Sequence, residues 1–169
     1  RIMVEQRENG LRMHGVAKHP RINPGTVLNN QDLIRILDPE DLDRFSVLPP
    51  EKLWTLEHKF DALIEECFGP NRFVLSSDML GLVILNWKRD GGSTHARLVD
   101  PKQRHDLLQA FIKSPGLFYL PSSAQKLKPS TEDYAELLAH AALIEIHGGV
   151  DFDLAAKICL HFHETGDVL

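Results

Sequence analysis

Three side chains that could handle negative charge lie within four residues: Lys18, His19 and Arg21, in the stretch Lys18 to Asn30, KHPRINPGTVLNN. Pro20 and Pro24 fix φ and push the residue before each out of the α region, so His19 and Asn23 are expected to be extended. Gly25 after Pro24 suits the central pair of a type II turn. Side chains and backbone N–H groups on a stiff loop of this kind can converge on an anion. The segment therefore reads as a phosphate- or substrate-facing loop formed by Lys18, His19, Arg21, Asn23, Gly25 and Thr26. The competing reading is a structural connection from a strand to the next helix, since proline-rich turns are common.

Other chemistry-bearing groups are less suggestive. His161 and His163 are two apart on an expected helix, where they point about 200° apart and share one ion poorly. No third ligand stands at a recognised spacing, so no metal site is expected. Glu57, Asp61 and Glu65 form an acidic row at i, i+4 on one face of the expected helix Glu51 to Phe68. Such a row could take a cation or a basic partner, or simply face solvent. The glycines of KRDGGST lack the spacing of a nucleotide loop and read as a hairpin turn. The chain has no G-x-x-x-x-G-K-[ST], no G-x-G-x-x-G, no G-x-S-x-G and no H-E-x-x-H.

The elements that must position these groups follow from pattern. Arg1 to Gln6 alternates like a strand, Arg7-Glu8-Asn9-Gly10 is a turn with a hairpin signal, and Leu11 to Val16 returns. Gln31 to Leu37 is a short amphipathic helix capped by Asn30, and Asp38-Pro39 starts another. Glu51 to Phe68 reads as one long helix with an apolar stripe of Leu53, Leu56, Phe60, Leu63, Ile64 and Cys67. Gly69 is its expected C-cap. Arg72 to Leu75 reads as a short strand. Leu80 to Trp87 reads as a strand buried on both faces, with His95 to Val99 returning antiparallel.

Asp100-Pro101 opens a helix to about Lys113. Leu117 to Leu120 is a short strand or apolar plug, and Pro121 to Ser130 a polar loop. Ser130 caps a helix over Thr131 to His140. Ala142 to His147 alternates like a strand, Gly148-Gly149 turns, and Asp151 caps a last helix, Phe152 to about His163. This mixture predicts an α/β or α+β fold with a mixed sheet and flanking helices.

Bulk properties bound the function. The 169 residues suit one domain, with 43% hydrophobic and 25% charged residues. A net charge of −5 argues against a broad nucleic-acid-binding face. No apolar run approaches the ~20 residues needed to span a bilayer, so no membrane partner is expected. Two isolated cysteines, Cys67 and Cys159, point to a reducing, cytoplasmic setting. The first residues, RIMVE, already alternate like a strand, which suggests a fragment of a longer protein.

The order of motifs resembles the HPr kinase/phosphorylase family, and more closely its HPr kinase-related kinases. RIMVEQRENGLRMHGVAKHPRINPGTVLNN is similar to the hairpin and signature loop that follow the family's phosphate loop. LVILNWKRDGG resembles its later buried strand and charged turn, and ALIEIHGGVDFDLAAKICLHF its final strand, glycine turn and helix. The resemblance implies the C-terminal half of a phosphoenolpyruvate carboxykinase-like kinase domain. The complete protein would use ATP and Mg²⁺ to phosphorylate a serine on a small carrier protein, and it would often assemble as an oligomer. The phosphate loop would lie in an upstream kinase segment, so the present chain alone is expected to be inactive and to hold no cofactor. By order, Arg21 and Asn23 stand where the family carries an acidic residue and an arginine. The resemblance therefore implies phosphate contact here and no magnesium-assisting carboxylate. A non-catalytic protein-binding module is the alternative, using the acidic row or the surface around Leu117 to Tyr119. A third candidate is a small metal-assisted hydrolase that uses the histidines.

Overall fold

The computed structural model describes residues 2–16, 18–111 and 129–169, which form helices and mixed sheets in an α/β arrangement. The chain divides into two compact units, Arg1–Met3 with His14–Ser77, and Val4–Met13 with Asp78–Leu169. The expected elements within Leu117 to Leu120 and most of Pro121 to Ser130 lie outside the described residues.

Strands β1 (Ile2–Arg7) and β2 (Gly10–Gly15) form the expected hairpin around Glu8 and Asn9, with Gly10 at φ 127°. In the first unit, β3 (Arg21–Ile22) leads into α1 (Pro24–Leu28). Pro24 is the first helical residue, where its missing N–H costs nothing, and Asn23 before it is extended at φ −73°, ψ 151°. The expected type II turn at Pro24-Gly25 is therefore not formed. The N–H groups of Thr26 and Val27 both reach back to the Asn23 carbonyl, and Val27 is fully buried. Burial of that side chain favours the helical turn.

Asn30 accepts from the Asp32 N–H at 2.9 Å, but the segment it starts contains only a 3₁₀ turn, Ile34–Ile36. Asp38 caps α2 (Pro39–Ser46) through the Asp41 N–H, with Pro39 at the first position, as its sequence predicts.

The expected long helix over Glu51 to Phe68 is three pieces: α3 (Pro50–Thr55), β4 (Phe60–Asp61) and α4 (Ile64–Phe68). The physical reason is visible in the packing. β4 pairs antiparallel with β3, Arg21 opposite Asp61 and Ile22 opposite Phe60. Phe60 also meets Phe45 edge-on at 5.9 Å and His58 at 4.7 Å. Leu53, Leu56, Phe60 and Cys67 still reach one core, with Val27, Leu33, Leu37, Phe45 and Ala62. The apolar spacing was real, but a strand and two short helices satisfy it. Glu57, Asp61 and Glu65 consequently share no helix face. Gly69 closes α4 at φ 87°, as expected of a C-cap glycine.

The strand expected at Arg72 to Leu75 is shifted to β5 (Ser76–Met79), which joins the sheet of order β1-β2-β5. Strands β6 (Gly81–Trp87), β7 (His95–Leu98) and β8 (Ala142–Gly148) make a further three-stranded sheet, of order β6-β8-β7. β6 runs parallel to β8, and β7 antiparallel to it, so the sheet is mixed. The parallel pairing needs a long crossover, which α5 (His105–Leu108), a 3₁₀ turn and α6 (Thr131–Leu138) lie within. The helix expected from Asp100 is shorter, because Asp100 holds the Lys102 N–H in a local turn before α5 begins.

Two layers of side chains cover this sheet. Leu82, Ile84 and Leu143 pack with Leu107, Leu108, Ala135 and Leu138. The opposite face, with Val83, Ile144 and Ile146, packs against α7 (Phe152–Thr165) through Ala155 and Ile158. β6 was expected to be buried on both faces. Among the described residues it is an edge strand, and Leu85 is 53% exposed. Two helix starts match their sequence signals: Ser130 caps α6 in a full capping box with Asp133, and Asp151 caps α7 through the Leu154 N–H.

Candidate functional site

The loop singled out by sequence is pinned at its backbone and open at its side chains. The Ala62 N–H donates to the Pro20 carbonyl at 2.8 Å, and the β3–β4 pairing follows immediately. Pro24 and Val27 are buried, and a methyl group on Gly25 would lie 3.4 Å from the Leu53 Cβ. Lys18, His19, Arg21 and Thr26 are exposed, while Asn23 and Gly25 are half-buried. Arg21 lies 3.5 Å from Asp61 through Nε, an exposed ion pair that water can replace easily. The Thr26 N–H is engaged inside α1, so what this residue offers a ligand is its hydroxyl.

A second polar constellation, in the other unit, was not anticipated. Register places Leu143, Glu145 and His147 of β8 on one face, beside Leu82, Ile84 and Asn86 of β6, and Arg97 and His95 of β7. Along β8 this face changes from leucine to carboxylate to imidazole. The polar end coincides with the C-terminal ends of the two parallel strands, where open α/β sheets commonly hold ligands.

Glu145 is the centre of this cluster and is 1% exposed. Arg104, just before α5, donates Nη2 to Oε1 at 2.9 Å and Nη1 to Oε2. Arg97 donates Nε to Oε2 at 2.9 Å, and Asn86 donates Nδ2 to Oε1 at 2.7 Å. Arg104 in turn grips Asp106 with Nε and Nη2, both at 2.9 Å. The hydrogen bonds from Arg104, then those from Asn86 and Arg97, outweigh burial and bring the Glu145 carboxyl down to about 2. Asp106 and Glu145 push the Arg104 guanidinium still higher than its ordinary value, and Arg104 lowers Asp106. Glu145 is thus a fixed anion at neutral pH and not a proton shuttle. Its role is to hold Arg97, which is half-exposed, at the sheet end beside two histidines.

The turns at that end are packed backbone to backbone. A Cβ on Gly148, at φ 94°, would overlap the Ser93 carbonyl oxygen, and one on Gly91 would overlap that of Gly148. The Thr94 hydroxyl donates to the Gly149 carbonyl at 2.9 Å. His161 and His163 lie together on α7, as expected.

Sequence reasoning passed over Glu145, although one signal was present. A lone carboxylate inside the apolar alternation ALIEIHG must find cations if its face is covered. Its partners stand 41, 48 and 59 residues away, and no spacing rule connects them.

No family model matches the chain, and no curated protein or solved structure does.

Proposed function

We propose that this chain is the C-terminal portion of an HPr kinase-like, ATP- and Mg²⁺-dependent phosphotransferase that acts on a serine of a small carrier protein. In this reading the segment Lys18 to Asn30 faces the transferring phosphate or the protein substrate, in a cytoplasmic setting. The observation that carries the reading is the exposure of Lys18, His19 and Arg21 on a backbone fixed by β3–β4 pairing and by the buried Pro24 and Val27. A cation held on a stiff frame can stabilise charge on transferring oxygens without reorganising. The phosphate loop and the magnesium-assisting carboxylates belong, on this reading, to an upstream segment of the same protein.

The test is calorimetric titration of ATP–Mg²⁺ into the 169-residue chain and into a form extended upstream by ~100 residues or more. Binding in the extended form only, weakened there by Arg21→Ala, is the expected result. A gene with no upstream G-x-x-x-x-G-K-[ST] would overturn the proposal.

A second reading, a non-catalytic protein-binding module, is favoured by the run Phe73, Val74 and Leu75, of which Val74 is 70% exposed. Capture of a defined partner with no dependence on nucleotide would support it.

A further inference from the structure

His95 and His147 stand 52 residues apart in sequence and directly opposite each other in the β7–β8 pairing. Direct partners on one face of an antiparallel pair bring their Cβ atoms to about 5 Å. Their ring centroids are 5.9 Å apart. The His147 Nδ1 lies 3.1 Å from the His95 carbonyl oxygen. A carbonyl only accepts, so Nδ1 carries the proton, and in the neutral ring Nε2 is then the nitrogen that can bind an ion. A hydrogen bond of this kind from the distal nitrogen orients histidines that bind metal ions. On the other side of His147, Asn86 is its direct partner in β6. Asn86 turns its amide NH₂ to Glu145 and so retains Oδ1 as an acceptor.

We propose that His95, His147 and Asn86, one row across β7, β8 and β6, form a binding site for a divalent transition-metal ion of the Zn²⁺ or Ni²⁺ class. Two imidazole nitrogens at about 2.0–2.1 Å from one ion in a near-tetrahedral arrangement place their ring centroids roughly 5–5.5 Å apart. The observed separation exceeds this by about half an ångström, and His95 is exposed, so its ring is not held by packing. Imidazole selects Zn²⁺ and Ni²⁺ over Mg²⁺, which prefers oxygen. Neighbouring charge does not forbid the ion. Arg97 and Arg104 face the row, but both are engaged by Glu145, and Arg104 also by Asp106. Among the described residues no group of three His, Cys, Asp or Glu side chains gathers to hold an ion, so water completes the coordination. The site is independent of the phosphotransferase reading, since it involves neither nucleotide nor the Lys18 to Asn30 segment.

The experiment is calorimetric titration of tag-free protein with ZnCl₂ and, separately, MgCl₂, together with NMR of the histidine ring nitrogens. One equivalent of Zn²⁺ is expected to bind, with the Nε2 signal of His147 shifted and no comparable effect of Mg²⁺. His147→Ala and His95→Ala should each weaken binding by about tenfold or more, as loss of one of two nitrogen ligands requires. His161→Ala with His163→Ala should leave it unchanged. Absence of Zn²⁺ binding overturns the proposal, as does binding that survives His95→Ala or depends on His161 and His163. Should His147→Ala fail to fold, the His95→Ala variant, at an exposed position on an edge strand, decides the question alone.

Discussion

Arg104 and Glu145 meet side-on, Nη2 to Oε1 at 2.9 Å and Nη1 to Oε2, while the same guanidinium closes on Asp106 through Nε and Nη2. One arginine therefore joins the crossover connection to the central strand of its sheet. Glu145 is buried, and its two oxygens also accept from Arg97 and Asn86. Replacing it with alanine leaves two guanidinium groups without their shared anion. Glu145→Ala is expected to lower unfolding free energy by about 3–5 kcal/mol, read by urea denaturation at neutral pH.

The same carboxylate gives the protein an acid-sensitive component of stability. Its folded-state pKa of about 2 lies below the ordinary 4.5. The contribution is complete above the ordinary value and disappears as pH falls through about 2. Its full size is on the order of 3 kcal/mol. Denaturation midpoints between pH 6 and pH 2 should fall steeply below pH 4.5, and Glu145→Gln should flatten that fall. An unchanged pH dependence in Glu145→Gln would show that other carboxylates dominate.

Gly148 cannot carry a side chain. Its φ of 94° disfavours any L residue, and its added Cβ would overlap the Ser93 carbonyl oxygen. Gly148→Ala is expected to cost about 3 kcal/mol or more, because both the strain and the clash involve backbone that cannot turn aside. Gly92→Ala is the instructive comparison: φ is 73°, but no atom lies within 4 Å of the added Cβ. It should cost only about 1–2 kcal/mol. Thermal denaturation of the two variants separates clash from backbone strain.

Ser130 and Asp133 exchange hydrogen bonds at the start of α6, 3.2 Å to the Ser130 hydroxyl and 2.8 Å to the Asp133 carboxylate. Ser130→Ala should destabilise the protein by about 1 kcal/mol, and Ser130→Asp by much less. Amide exchange at Asp133 should quicken in the alanine variant only.

Arg21 distinguishes function from stability. Its ion pair with Asp61 is exposed on both sides, so Arg21→Ala should change unfolding free energy by less than about 1 kcal/mol. If the Lys18 to Asn30 segment faces a transferring phosphate as proposed, the same change in a form extended upstream should reduce the transfer rate by a factor on the order of 10²–10³. A large stability loss with an unaltered rate would assign Arg21 to the β3–β4 ribbon alone.

Local chemistry alone placed much of the fold. The hairpin at Glu8 and Asn9, the Asp38-Pro39, Ser130 and Asp151 helix starts, the Gly69 terminus and the alternation of β8 are each decided within a few residues. Caps and tight turns are short-range interactions, so their signals survive in the sequence. Tertiary structure decided the rest. Phe60 left a helical pattern because β3 and the ring of Phe45 offered it pairing and burial that a helix did not. Pro24 and Gly25 entered a helix because Val27 had a core to enter. Glu145 acquired its character from Arg104, Arg97 and Asn86, and the row His95, His147 and Asn86 arose from strand register. Partners 41 to 59 residues apart meet only when a crossover returns β8 between β6 and β7, and nothing local in the sequence encodes that return.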